Sequence, residues 1–70
     1  MALFQSPLVG EAIRAAAQRL APVSDTGRLD AELLMAHLFG VTRSELLLRH
    51  MRDPAPPGFA ALVERRAGHE

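Results

Sequence analysis

The chain has seventy residues, eight arginines and no lysine, eight acidic residues, no cysteine and a formal net charge of zero. That length makes one small domain, in which a single core leaves only about 3–5 kcal/mol of net stability. The missing cysteines exclude a disulfide framework and a thiolate metal site, and they fit a reducing compartment. A neutral balance lacks the positive surplus that phosphate backbones draw on, so no direct contact with nucleic acid is expected. Arginine without lysine, beside abundant Ala, Leu and Pro, is also what a GC-rich genome produces. Apolar runs are only a few residues long, and the N-terminus lacks the ordered basic, apolar and small-residue segments of a secretory leader. The expectation is a soluble, cytoplasmic, monomeric protein with no membrane contact.

In chain order, residues 1–5 read as a frayed end, and Ser6-Pro7 as an N-cap followed by a first-turn proline. Val9, Ile13, Ala16, Ala17 and Leu20 then recur at helical spacing, with Glu11, Arg14, Gln18 and Arg19 on the other side. This first helix should end near Pro22, and its alanines permit a neighbouring helix to come close. Residues 22–26 form a short polar connection, in which Ser24, Asp25 or Thr26 can cap the second helix, Asp25 or Thr26 being the preferred positions.

The stretch 28–39, RLDAELLMAHLF, organises the rest. Stepping about 100° per residue, Leu29, Leu33 and Ala36 fall on one side and Ala31, Leu34, Met35 and Leu38 roughly opposite. Arg28 with Glu32, and Asp30 with His37, make polar seams between the two faces. A helix apolar on both sides needs neighbours on both sides, which predicts a central position in a bundle.

Gly40 stands where a left-handed residue closes that helix, and Thr42 where a side-chain oxygen opens the next. Thr42 and Glu45 have capping-box spacing, with Val41 and Leu46 as the accompanying apolar staple. The third helix, from Arg43 to about Met51, is predicted to turn Leu47, Leu48 and Met51 inward and to pair Glu45 with Arg49 on its surface. DPAPPG, residues 53–58, cannot continue a helix because its prolines lack donors and restrict their predecessors. Phe59, Leu62 and Val63 begin a last helix that carries Glu64, Arg65 and Arg66 late and stops near Gly68. No strand-like alternation and no repeat occur. The predicted fold is all-α, one domain over residues 1–70: a compact bundle of four helices, or five if the connector holds a turn, around a central helix.

Chemistry is sparse. His37, His50 and His69 share no helical turn with one another, and a zinc site needs three or four converging ligands. No Ser or Cys nucleophile accompanies Asp30 and His37, and no glycine-rich phosphate loop follows a strand. No metal, cofactor or catalytic residue is therefore assigned. The order Ala36-His37-Leu38-Phe39-Gly40-Val41-Thr42 is compatible with a helix-turn-helix corner. Its second helix would, however, bring Glu45 and three consecutive leucines towards DNA, so a plain structural corner ranks above a DNA-binding module. A self-associating bundle is the other alternative, and it would expose a continuous apolar patch.

RLDAELLMAHLFGVTRSELLLRH followed by FAALVERRAGHE closely resembles the N-terminal domain of the release-factor glutamine methyltransferases, the HemK or PrmC family. The resemblance runs from VGEAIRAAAQRL to Glu70. Its most specific parts are residues 28–34, the corner at residues 40–47, and Arg65-Arg66 ahead of Gly68 and Glu70. The DPAPPG connector is shorter than the family's usual segment. The resemblance implies a helical domain that precedes an S-adenosylmethionine-binding, Rossmann-type domain acting on the glutamine of the Gly-Gly-Gln motif in peptide chain release factors. The family's catalytic Asn-Pro-Pro-Tyr motif and cofactor loop match nothing in these residues. The chain is thus expected to be a non-catalytic fragment whose implied partner is a release factor. Positioning a macromolecular substrate contributes to rate without supplying chemistry, and the candidate contacts are Arg43, Arg49, Arg65 and Arg66.

Overall fold

The computed structural model describes residues 7–68, which form four helices: α1, Val9–Leu20; α2, Gly27–Phe39; α3, Arg43–Arg49; and α4, Phe59–Gly68. There is no β-strand among the described residues, only an isolated antiparallel bridge between Leu8 and Pro54. Helix α2 alone packs against all the others, and α1 also meets α4. The predicted all-α bundle around a central helix is what the described residues form, with four helices and no helix in the connector.

Helix α1 starts two residues after Pro7, with Leu8 rather than Ser6 at the capping position; Ser6 and the end at residues 1–5 lie outside the described residues. Leucine has no side-chain acceptor, so the orphan amides of the first turn find other partners. Val9 N–H donates to the Asp53 carbonyl at 2.8 Å and Gly10 N–H to the Met51 carbonyl at 3.0 Å. The Ala55 N–H donates in turn to the Pro7 carbonyl at 2.8 Å. The segment from Met51 to Asp53, leading into the proline-rich connector, thus supplies the cap that the local sequence lacks. Only Glu11, whose Oε1 accepts from the Leu8 N–H at 3.0 Å, contributes a side chain.

Val9, Ala12, Ile13, Ala16 and Leu20 form the buried face of α1. Gly27, the first residue of α2, lies buried against the end of that face, where an added Cβ would stand 3.0 Å from the Ala17 carbonyl oxygen. The two helices converge there because Gly27 brings no side chain to the crossing, where Ala17 and Leu20 stand opposite it. A bulky Gly27→Val substitution should force them apart and lower the unfolding midpoint, as a thermal melt would report.

One apolar face of α2 is buried as predicted, through Ala31 and Met35 with Leu34 and Leu38 packed at the core's edge. The opposite face departs from expectation. Ala36 is buried, but Leu29 remains 39% and Leu33 50% exposed. The residue that goes inside instead is Glu32, 4% exposed, from a predicted polar seam. Its Oε2 accepts from Arg28 Nε at 3.0 Å and its Oε1 from Arg43 Nε at 2.6 Å. Helix α3, seven residues long, covers this side of α2 only in part, and the charged pair takes the place that an apolar contact would fill.

Thr26 occupies the N-cap position of α2, yet its side chain makes no capping bond. Its hydroxyl donates to Asp30 Oδ1 at 3.2 Å while Ser24 Oγ donates to Asp30 Oδ2 at 2.7 Å. Asp30 therefore pairs with the preceding turn and with Arg66 Nη2 of α4 at 3.3 Å. At the other end Gly40 is left-handed, φ 71°, with Gly40 N–H on the His37 carbonyl and Val41 N–H on the Ala36 carbonyl, each 3.1 Å. This is the paired-bond termination that glycine favours. Gly40→Ala has free space for its methyl group but the wrong backbone region. It should cost about 1 kcal/mol in urea denaturation, the usual penalty for placing alanine at positive φ.

The capping box of α3 is present: Glu45 N–H donates to Thr42 Oγ1 at 3.0 Å, and Glu45 Oε1 accepts from Thr42 N–H at 3.4 Å. That occupies the Glu45 carboxylate, and no ion pair to Arg49 forms. Helix α3 ends at Arg49, short of Met51, and its inward residue is Leu46, with Leu47 and Met51 half-buried. Leu48, predicted inward, is 81% exposed. In α4, Phe59, Val63 and Ala67 are buried at i, i+4 and i+8, and Leu62 is half-buried beside them.

Candidate functional site

The four candidate arginines divide into two kinds. Arg43 is drawn back onto buried Glu32 and Arg66 onto Asp30, so both close contacts between elements. Arg49 and Arg65 are exposed and have no ion-pair partner among the described residues. Arg49 sits in the last turn of α3, and Arg65 and Arg66 in the last turn of α4. Positive charge is favourable at helix C-termini for reasons of structure alone. The structure brings Arg65 and Arg66 to one helix end and does not gather all four into one patch by any contact.

An open groove of about 430 Å³ runs between α1, the connector and α4. Ala12, Ala15 and Ala16 form one wall, Pro56 and Pro57 the rim, and Phe59, Ala60 and Val63 the opposite wall. Arg19 and Glu64 close it at one end with a two-pronged pair, Nε to Oε2 at 2.9 Å and Nη2 to Oε1 at 2.8 Å. The Arg19 hydrogen bonds, helped by its charge, hold the Glu64 carboxyl below the ordinary carboxylate range. A carboxyl depressed in the folded state stabilises the fold above its ordinary range and loses that contribution as pH falls through the depressed value. Glu64→Gln should therefore flatten the acid limb of the melting-temperature profile, and an unchanged limb would show that the pair adds nothing to stability. Both side chains are more than half exposed, so the effect is small and screened by salt.

The groove is not legible in the sequence because it forms only where α1, the connector and α4 meet, and the helical period that marks Phe59 and Val63 does not say which helix lies opposite them. The alanine stripe on α1 is the available signal, and by itself it says only that a neighbouring helix can pack closely. Elsewhere His50 Nδ1 lies 2.8 Å from Asp53 Oδ2, and the His50 ring stands 4.8 Å from that of Phe39. His37 is exposed and contacts neither, and His69 lies outside the described residues. Among the described residues no three His, Asp or Glu side chains converge as metal ligands would.

The family model described as the PrmC N-terminal domain matches residues 11–70, which takes in α1 from its third residue, all of α2, α3 and α4, and the connector. This chain belongs to that family. The PrmC N-terminal domain seen here is also 48% identical over 63 residues to a release factor glutamine methyltransferase of Corynebacterium glutamicum. The match covers 89% of this chain and 22% of that relative, so the chain spans about a fifth of the relative's length. No solved structure matches. In this PrmC N-terminal domain the corner at residues 40–47 and the two-faced α2 are structural devices: a left-handed glycine, a capping box and a buried Glu32 with two arginines.

Proposed function

We propose that this chain is the helical N-terminal domain of an S-adenosylmethionine-dependent protein-glutamine methyltransferase, working in the cytoplasm. Its role is to help hold a peptide chain release factor so that the glutamine of the Gly-Gly-Gln motif reaches a catalytic domain elsewhere in the protein. The observation that carries this reading is the family match over residues 11–70, supported by the identity to the Corynebacterium glutamicum methyltransferase. The residues present do not fit S-adenosylmethionine. A nucleoside-type cofactor calls for a glycine-rich turn after a strand and a free acidic group for the ribose. The groove is walled by alanines, prolines, Phe59 and Val63, and its one carboxylate is bound by Arg19. What the domain offers instead is a folded surface with exposed charge, and positioning a large substrate lowers the entropy cost of reaction.

Arg49 and Arg65 are the candidates best placed to touch the release factor, because reversing them disturbs no described ion pair. In the full-length enzyme, Arg49→Glu with Arg65→Glu should weaken release-factor binding roughly tenfold, a change of about 1.4 kcal/mol. Affinity for S-adenosylmethionine should be unchanged. Equal release-factor affinity in the double variant would remove both residues. Arg43→Glu and Arg66→Glu are less informative, since each also breaks a contact that holds α3 or α4 to α2.

The helix-turn-helix reading gains no support. Of the two arginines on α3, Arg43 is turned back to Glu32, while Leu48 projects outward beside Glu45.

A further inference from the structure

Arg28 of α2 and Arg43 of α3 reach one carboxylate from two helices, and each does so through Nε alone, Arg28 to Oε2 and Arg43 to Oε1 of Glu32. Glu32 is buried, while both arginine side chains are about half exposed. Among the described residues no acceptor takes an Nη hydrogen of either arginine. Anchoring Nε restrains each planar guanidinium and leaves its Nη donors to an incoming group. Two guanidinium groups against one carboxylate also leave the cluster positive. Its complement is an anionic acceptor, and because both arginines are already held, less side-chain freedom is lost when that acceptor binds.

Leu29 and Leu33 each follow a member of this cluster by one residue, Arg28 and Glu32, and both are exposed. Four residues apart on α2, they share one stripe of the helix. A free anion or a phosphate backbone makes no use of these leucines. A protein segment that sets an Asp or Glu beside an apolar side chain engages the arginines and the leucines together. We infer that Arg28, Arg43, Leu29 and Leu33 form a docking site for such an acidic and apolar segment of the release factor, in addition to Arg49 and Arg65. The inference rests on the role proposed above for the domain. Glu32 is a positioning residue, since it touches no partner and sets the two guanidinium groups.

Two double variants of the seventy-residue chain, titrated with purified release factor, test this. Arg28→Lys with Arg43→Lys keeps positive charge beside Glu32 and removes every Nη donor. Affinity should fall roughly tenfold, as the loss of charge-assisted hydrogen bonds implies, with helical circular dichroism retained. Leu29→Ala with Leu33→Ala removes the apolar half and should weaken binding by a similar factor, again with the helices intact because both leucines are exposed. Inorganic phosphate at matched ionic strength should compete no better than chloride. Selective competition by phosphate would give the site to a phosphate-bearing partner and overturn the inference. Equal affinity in either double variant, with binding by the unaltered chain retained, overturns the inference and leaves the proposed role standing. No binding by the unaltered chain overturns both.

Discussion

Leu46→Ala is expected to destabilise the domain by about 2–5 kcal/mol, as full truncation of a buried leucine does, whereas Leu48→Ala should change stability by less than about 0.5 kcal/mol. Leu46 is completely buried, while Leu48, two residues on, is 81% exposed. The asymmetry has a structural amplifier. Helix α3 has seven residues, far too few to be stable alone. It is held by its Thr42–Glu45 box, by the Arg43–Glu32 pair to α2 and by Leu46, its one fully buried side chain. Loosening α3 also loosens the segment after it, whose Met51 and Asp53 carbonyls satisfy the first amides of α1. In a domain of this size a loss near the upper end of that range leaves little folded protein. Urea denaturation of the two variants distinguishes them, and a larger loss for Leu48→Ala would mean that α3 is rotated from the orientation described.

The second large effect concerns Glu32. Removing both Arg28 and Arg43 leaves a buried carboxylate without a counter-charge, which should cost about 3–5 kcal/mol. Either single alanine variant leaves one arginine in place, at 3.0 Å from Oε2 or 2.6 Å from Oε1. The single losses should therefore sum to less than the double loss, by roughly 0.5–3 kcal/mol of coupling. Adding Glu32→Met to the double variant should restore most of the stability, because an apolar side chain of similar volume needs no partner. A strictly additive cycle would show that water already reaches Glu32, contrary to its 4% exposure.

Leu46 and Glu32 also mark the boundary of what the sequence makes legible. The corner at residues 40–47 is readable because Gly40, Thr42 and Glu45 act through their own backbone, within a few residues of chain. The buried face of α1 and the Phe59–Val63 pattern are readable for a similar reason: helical period alone decides them. Leu46 against Leu48 is not decidable from three consecutive leucines, since the rotation of α3 is set by the turn that Gly40 imposes and by contact with α2. Glu32 reads as a seam residue because its burial depends on Arg43, eleven residues away on another helix. The first-turn caps of α1 come from residues 51 and 53 and so have no local signature. The candidate arginines are legible as charges. Which of them are already spent on Glu32 and Asp30 is knowable only from the fold.

The family assignment rests on the match over residues 11–70, and the role proposed for the domain rests on its touching a release factor. The most direct measurement is a titration of this seventy-residue chain, isotope-labelled, with purified release factor, followed by amide chemical shifts. The proposed role predicts saturable binding, weakened by added salt, with the largest shifts around Arg49 and Arg65 at the ends of α3 and α4. A spectrum unmoved at the highest attainable release-factor concentration would contradict it.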